Sequence, residues 1–201
     1  MTTCDTTNAS KQAQIIDAAV AEFQEKGFAA ASMDRITARA GVSKRTVYKY
    51  FESKEKLYQS IVRILYEKFA DALSMAYDPS RDIREQLTDL AWAEGHLLTS
   101  PEVMAIAKLV VSENLRNPQL AVTVQGKIDS KRVFTEMLRD ASRDGHLNVD
   151  EPEEAAEQFI ALLKSKAFWP VILGGDILNQ TQMARVVDNT VDMMMSRYGT
   201  T

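Results

Sequence analysis

The chain has 201 residues, of which 24 are basic and 28 acidic, so its formal net charge is −4. This length suits one large or two small soluble domains, and no uninterrupted apolar run approaches the ~20 residues that a membrane-spanning helix needs. A single cysteine excludes an internal disulfide, and the polar N-terminus lacks the apolar core of a signal peptide, so we expect a cytoplasmic protein without membrane contact.

Apolar residues recur at helical spacing along the chain, and no segment alternates with the period of two that is typical of strands. This pattern predicts an all-α protein with about nine helices. Residues 1–9 form a polar leader for which we predict disorder. The first helix is predicted from about Lys11 to Lys26, and Gly27 ends it.

The next segment, SMDRITARAGVSKRTVYKYFESKEKL over residues 32–57, predicts two short helices joined by a glycine turn and followed by a third helix. Ser32 and Ser43 suit the N-caps of the two short helices, and Gly41 suits the left-handed residue through which the first of them ends. Because only three residues separate these helices, they must cross steeply. The arrangement is that of a helix-turn-helix DNA reader.

The second short helix has one face that packs and one that is free for a partner. At 100° per residue, Val47 and Phe51 share the packing side, and the basic and hydroxyl side chains lie around the other. Six basic and two acidic residues lie between Met33 and Lys54, so this segment carries a local charge of +4 that suits contact with phosphate. The alternative is a solvated three-helix bundle whose basic residues aid solubility.

The residue pattern favours the DNA reader. From Ile15 to Leu57, through IIDAAVAEFQEKGF, SMDRIT and AGVSKRTVYKYFESKEKL, the chain closely resembles the N-terminal domain of the TetR/AcrR family of bacterial transcriptional regulators. The C-terminal half loosely resembles the AefR-like subgroup, through AKLVVSENLRNPQLA and FWPVILGG. The resemblance implies a homodimeric regulator, usually a repressor, with a reading head and a helical domain that binds a small molecule and dimerises.

In the family's pattern, the positions of Lys44, Arg45 and Thr46 face the major groove, and those of Tyr48 and Lys54 hold phosphates. Arg45 departs from the glycine or other small residue that is common there and adds a long donor at the groove, so no operator preference is transferred from a relative. Thr37 departs from the common alanine, a more conservative change that leaves the expected fold unaffected. The full set of predicted DNA-binding residues is Thr37, Ser43, Lys44, Arg45, Thr46, Tyr48, Lys49, Tyr50 and Lys54.

We place the helix-turn-helix domain at residues 10–53 and the ligand-binding and dimerisation domain at residues 54–201. Residues 1–55 contain eight basic and seven acidic side chains, so the remainder carries −5 and is not expected to contact DNA. Helix starts are predicted at Ser100–Pro101, Asn117–Pro118 and near Pro152, with further caps at Ser80 and Asn179. The fourth helix is predicted from Lys54 to about Tyr77, and Gly126 weakens the seventh.

Aromatic and polarisable side chains predict a small-molecule cavity in the C-terminal domain. Trp92 and His96 lie one turn apart on a predicted helix, and the following helix is apolar almost all round. The alternative is that these residues fill an ordinary core, and His96 has no partner at metal-ligand spacing, so no metal or cofactor is expected. The predicted ligand-binding residues are Tyr66, Phe69, Trp92, His96, Met104 and Phe134.

The last two long helices carry apolar stripes that predict the dimer surface, and Pro170 should kink or end the first of them. An ordinary core helix is the alternative. The predicted dimerisation residues are Phe159, Leu162, Leu163, Met183, Val187, Val191 and Met194.

With these features, the family resemblance implies a transcriptional repressor that a small apolar or aromatic ligand releases from a palindromic operator in double-stranded DNA. The fourth helix, through Tyr66 and Phe69, would link the ligand to the reading head. An enzyme is not expected, because the chain lacks a phosphate-binding glycine loop, a metal-ligand cluster and a recognisable nucleophile–histidine pair. A DNA-binding or structural regulator that takes no ligand is the alternative.

Overall fold

The computed structural model describes residues 3–122 and 131–200. Within these residues the chain forms eleven α-helices, nine of them with seven or more residues, and no β-strand, which confirms the all-α prediction. The predicted weak point at Gly126 lies outside the described residues. The helices are α1 (Thr3–Ala30), α2 (Met33–Ala40), α3 (Lys44–Tyr50), α4 (Lys54–Ala72), α5 (Ile83–Leu98), α6 (Pro101–Arg116), α7 (Pro118–Val122), α8 (Arg132–Arg143), α9 (Pro152–Ala167), α10 (Trp169–Ile172) and α11 (Gln180–Tyr198).

The first helix begins at Thr3 rather than near Lys11, so it takes in part of the leader at residues 1–9 for which the sequence predicts disorder. Neither glycine nor proline occurs before Lys11 to stop a helix that continues towards the N-terminus. At the other end, the helical backbone breaks at Gly27, which has φ 74° and ψ 159°, as predicted. One further turn then carries the chain to Ala30.

The chain divides into two compact units. Unit 1 combines residues 1–65 with residues 106–125, and unit 2 combines residues 66–105 with residues 126–201. Unit 1 therefore extends beyond the predicted boundary at residue 53, because Tyr58 of α4 packs against Phe23 and Phe28 of α1, with ring centroids 6.1 Å and 5.3 Å apart. The core of unit 1 includes Ile15, Ala19, Phe23, Ile36, Val47, Phe51, Leu57, Tyr58 and Ile61.

Unit 2 is built around α11, which packs against both α5 and α9, and around α8, which packs against α9. In its core Phe134 of α8 contacts Phe159 of α9, with ring centroids 4.9 Å apart. Apolar side chains from five helices fill the rest of this core, including Leu87, Leu90, Leu98, Leu138, Leu163, Val171, Met183 and Val187.

Two further predicted helix boundaries, the end of α4 and the start of α5, are wrong. Helix α4 ends at Ala72 and not near Tyr77, because the last turn tightens and the Ser74 hydroxyl donates a hydrogen bond to the carbonyl oxygen of Asp71 at 2.5 Å. Ser80 does not cap α5, since its hydroxyl instead donates to the Asp78 carboxylate at 2.6 Å. The N-cap is Asp82, whose carboxylate accepts from the Glu85 N–H at 3.0 Å.

Four other predicted helix starts and one predicted helix break are confirmed. Ser100 accepts from the Val103 N–H at 3.3 Å and caps α6, and Asn179 forms a reciprocal capping box with Gln182 at the start of α11. Helices α7 and α9 begin at Pro118 and Pro152. The chain also breaks where Pro170 predicts it, since α9 ends at Ala167 and α10 begins at Trp169.

Candidate functional site

The turn between α2 and α3 is fixed by short-range contacts. Ser32 caps α2 by accepting from the Arg35 N–H at 3.2 Å, and Gly41 ends the helix with φ 63°, in the left-handed region that glycine adopts without strain. Ser43 then caps α3 by accepting from the Thr46 N–H at 3.1 Å. The two helices contact each other, as the sequence predicts for a helix-turn-helix.

Helix α3 buries one face and exposes the other. Val47 is fully buried, and Phe51 packs just after the helix ends. On the outer face Arg45 and Lys49 are exposed, and neither makes a hydrogen bond or ion pair within the part of the chain that the structure describes. Tyr48 is also exposed. This face therefore presents a guanidinium, an ammonium and a phenol whose donors are all available for a partner.

Lys44 lies at the start of the same helix and is held in a surface ion pair. Its ammonium lies 2.7 Å from the Asp34 carboxylate and 6.0 Å from the ring centroid of Tyr48. The hydrogen bond that Lys44 donates to the Asp34 carboxylate raises the pKa of Lys44 above its usual value. Since both partners are well exposed, the pair contributes little stability, and a phosphate could replace the carboxylate.

The remaining predicted DNA contacts already have internal partners. Thr37 donates to the Met33 carbonyl oxygen at 2.7 Å, and the Thr46 and Ser43 hydroxyl oxygens lie 2.8 Å apart in the cap. Tyr50 is half-buried beside Phe51, with ring centroids 6.4 Å apart. These side chains shape the helix-turn-helix, and they present less to a partner than the outer face of α3 does.

Lys54 has an internal role that the sequence did not reveal. Its ammonium donates to the carbonyl oxygens of Ala29 and Ala31 at 3.0 Å each and lies 4.7 Å from the ring centroid of Phe28. These bonds satisfy backbone acceptors at the end of α1. Two of the three ammonium donors are thus in use within unit 1, and the third has no hydrogen-bond acceptor among the described residues.

Two further basic residues of this segment are committed to α1. Arg35 donates to the buried carboxylate of Glu22 at 2.6 Å and to the Ala30 carbonyl oxygen. Arg39 pairs with Glu25 at 2.6 Å, and hydrogen bonds from Lys26 and Arg39 lower the pKa of Glu25 to about 2. Half of the six basic side chains in this segment therefore form contacts within unit 1, and the other half lie on α3.

The six predicted ligand-binding residues all belong to unit 2, in three different environments. Phe69, Met104 and Phe134 are buried, Tyr66 and Trp92 are half-buried, and His96 is exposed. Trp92 and His96 lie side by side on α5, with ring centroids 5.5 Å apart. Phe134 packs on Phe159 within the core, and Phe69 lies beside Lys164.

Unit 2 contains a buried ion pair that the sequence does not predict. Glu94 is fully buried on α5, and its carboxylate lies 3.6 Å from the Lys164 ammonium of α9. Burial raises the pKa of Glu94, while Lys164 opposes that rise. Among the described residues, no three histidine, cysteine or acidic side chains lie close enough to hold a metal ion.

Comparison with known proteins identifies the family of this chain. Residues 15–61 match the model of the N-terminal domain of "bacterial regulatory proteins, tetR family", and residues 85–200, more than half of the chain, match that of the "AefR-like transcriptional repressor, C-terminal domain". The chain belongs to the TetR family of bacterial transcriptional regulators.

Solved structures agree with this family in fold. A TetR-family regulator from Pseudomonas syringae pv. tomato DC3000 is 36% identical with a TM-score of 0.85, and the alignment covers 96% of this chain and 98% of that one. The flavonoid-responsive regulator FrrA is 30% identical with a TM-score of 0.72, covering 95% and 98%. FasR of Mycolicibacterium smegmatis, a transcriptional activator, is 27% identical over 165 residues, 79% of this chain and 72% of FasR.

Such TetR-family proteins are DNA-binding transcriptional regulators and not enzymes. The outer face of α3 in this chain therefore belongs to a DNA-binding domain. Among the described residues, no helix combines the length and the apolar character required to span a bilayer.

The predicted dimer residues of this TetR-family chain are placed differently from the expectation. Leu162 is half-buried, whereas the other six are buried within the single chain and have no surface left for a partner: Phe159, Leu163, Met183, Val187, Val191 and Met194. The periodicity identified the inward stripes of α9 and α11, because a core face and a dimer face have the same spacing. The outward faces of these helices instead form a groove of about 320 Å³ lined by Leu162, Val186 and Met193, among others.

A second set of contacts that the sequence did not reveal joins α6 to the rest of unit 1. The buried carboxylate of Glu113 accepts from the Phe28 N–H at 3.2 Å and from Arg116 at 2.9 Å. The next residue, Asn114, accepts from the Tyr58 hydroxyl at 3.0 Å. A glutamate within the apolar pattern of α6 was the available signal, but its partners lie too far away in sequence to be inferred.

Proposed function

We propose that this protein is a homodimeric repressor that binds a two-fold-related operator and leaves it when a small aromatic ligand binds to unit 2. It acts on DNA in the cytoplasm. The single observation that carries the DNA-binding part is the outer face of α3, where Arg45 and Lys49 are exposed and have no partner among the residues that the structure describes. Side chains of this kind at the start and middle of a recognition helix reach base edges and phosphates in the major groove.

Arg45 is the side chain to which we assign most of the sequence preference. A guanidinium forms two parallel hydrogen bonds with the major-groove edge of guanine, whereas the Lys49 ammonium and the Tyr48 hydroxyl suit phosphate oxygens. Lys44 exchanges its carboxylate partner Asp34 for a phosphate. Lys54 contributes only its one remaining donor.

The groove on α9 and α11 supports dimerisation through this surface. Leu162, Val186 and the exposed Met193 offer apolar surface that a second copy of the chain would cover. Two α3 helices related by a two-fold axis would then read two half-sites, and the free energies of their contacts would add.

Release by a ligand needs a connection between the units, and α4 and α6 each contribute residues to both. Tyr66 and Phe69 of α4 belong to unit 2, while Glu113 and Asn114 of α6 make their hydrogen bonds in unit 1. A ligand that favours one position of these helices shifts operator occupancy by its difference in affinity for the two states. The name of FrrA describes that protein as responsive to flavonoids, and we extend the aromatic character of the ligand to this chain.

Selection of DNA from a random library tests this function. We expect the wild-type protein to enrich a two-fold-related sequence. Arg45→Ala should lose about 1–3 kcal/mol of operator affinity and relax the preference at one pair of symmetry-related positions. Arg185→Ala is the matched control, because Arg185 is an exposed arginine of α11 far from α3 in sequence, and its operator affinity should equal that of the wild type. Failure of the wild-type protein to enrich any sequence would contradict the proposal.

A further inference from the structure

The strongest unexplained feature of unit 2 is the carboxylate of Glu94. The residue is fully buried, and neither carboxylate oxygen has a hydrogen-bond partner among the described residues. Its only charged neighbour in that part of the chain is the Lys164 ammonium, at 3.6 Å from Oε1. This separation is longer than a charge-assisted hydrogen bond, which measures about 2.7–2.9 Å. The pair therefore leaves the carboxylate unsatisfied.

The surroundings of the Lys164 ammonium are those of a cation site. Its nitrogen lies 5.0 Å from the ring centroid of Phe69 and 5.8 Å from that of Phe168, in addition to the Glu94 carboxylate. Aromatic rings attract a cation most strongly when water is excluded, and the carboxylate adds the opposite charge. One anion and two aromatic rings thus converge on a single position, which a lysine side chain occupies in this structure.

Lys164 is able to vacate this position, because its side chain is 30% exposed and its long stem allows the ammonium to turn into water. Glu94 is fully buried, so its carboxylate cannot turn into water in the same way. A stability role alone accounts poorly for the pair, since a buried ion pair without good hydrogen bonds is commonly no more stable than apolar residues of the same volume.

We propose that the effector of this protein is an aromatic organic cation whose nitrogen replaces the Lys164 ammonium between Glu94, Phe69 and Phe168. The role of the cation as an effector rests on the proposed function, whereas the binding site itself rests on the geometry alone. Phe69 was singled out from the sequence as a ligand contact. Glu94 and Lys164 supply the charge selectivity that an apolar cavity lacks.

Three probes of similar size and different charge test the site: 2-phenylethylammonium, 2-phenylethanol and phenylacetate. Their binding is measured by calorimetry on the wild type, Lys164→Met, Glu94→Gln and Phe168→Leu. In Lys164→Met the resident cation is gone, so we expect this variant to bind the ammonium probe at least tenfold more tightly than the alcohol and more tightly than the wild type does. Glu94→Gln should bind the ammonium and the alcohol equally, and Phe168→Leu should bind the ammonium more weakly.

Tighter binding of phenylacetate that disappears in Lys164→Met would overturn the proposal and assign the site to anions. Equal binding of all three probes by the wild type and Lys164→Met would overturn it as well. Circular dichroism confirms folding of each variant, and Glu94→Gln and Phe168→Leu still test the site if Lys164→Met, which leaves the buried carboxylate without its cation, does not fold. Selection of operator DNA is scored separately, so a cation site in a protein that binds no DNA would refute the proposed function and leave this site standing.

Discussion

At the scale of single residues, Glu94 gives the stability of the protein a defined dependence on pH. Burial raises the pKa of this carboxyl above its ordinary value of 4.5, with Lys164 opposing the rise. Below that ordinary value the group is protonated in both the folded and the unfolded chain, and it has no effect on stability. As the pH rises through the raised folded pKa, the buried charge becomes progressively destabilising.

Glu94→Gln should therefore stabilise the protein at pH 7 by about 1–3 kcal/mol and have little effect at pH 4. Urea denaturation across this range measures the difference in the free energy of unfolding between the variant and the wild type. Glu151→Gln is the control, because Glu151 is exposed and its side chain makes no cap bond, and it should show no such trend. Lower stability of Glu94→Gln at pH 7 would mean that the pair with Lys164 stabilises the fold.

Glu94 also shows where reading the sequence stops. Its position on one stripe with Ile83, Leu87 and Leu98 follows from helical spacing and predicts that it faces inward. Its partner Lys164 lies on another helix, at a sequence distance over which no local rule acts. The contacts of Lys54 are unpredictable for the same reason, because the carbonyl oxygens of Ala29 and Ala31 that it binds precede it by more than twenty residues.

At the scale of helices, local chemistry made the helix-turn-helix predictable. The caps at Ser32 and Ser43 and the left-handed Gly41 are fixed by neighbours within three residues, and all three were identified from the sequence. The same local rules failed at Ser80, because Asp82 is an equally good cap two residues later and the Ser80 hydroxyl donates to Asp78 instead. The dimer stripes failed for a different reason, since spacing identifies a buried face without saying what buries it.

Helix α6 provides a test of how firmly unit 1 is held together. Asn114→Ala removes the amide oxygen that accepts from the Tyr58 hydroxyl at 3.0 Å, and leaves the weaker bond to the Val110 carbonyl oxygen at 3.4 Å in place. We expect a loss of about 1 kcal/mol in the stability of unit 1. Hydrogen exchange of the α1 and α4 amides measures this loss.

The neighbouring substitution Leu115→Ala is the matched control, because Leu115 lies on the same helix and its side chain is 79% exposed. It should leave exchange in α1 and α4 unchanged. Equal protection in Asn114→Ala and Leu115→Ala would show that the hydrogen bond between Asn114 and Tyr58 does not hold α6 in place.

For the assembled protein, we propose a dimer formed through the groove on α9 and α11. Met193 is the most exposed apolar residue of that groove, at 56% of its surface. Met193→Glu should place two like charges in the interface of the dimer and yield monomers by light scattering. Leu173→Glu is the control, since Leu173 is 84% exposed but follows α10, outside the groove, and it should remain dimeric.

A hydroxyl-radical footprint on the selected DNA, with the wild type and with Met193→Glu, tests directly whether the protein binds its operator as a two-fold dimer. We predict that the wild type protects two patches related by a two-fold axis on one face of the duplex, and that the variant loses both at the same concentration, because one reading head alone binds weakly. Protection of both patches by a monomeric Met193→Glu, or a wild-type footprint without two-fold symmetry, would contradict the account.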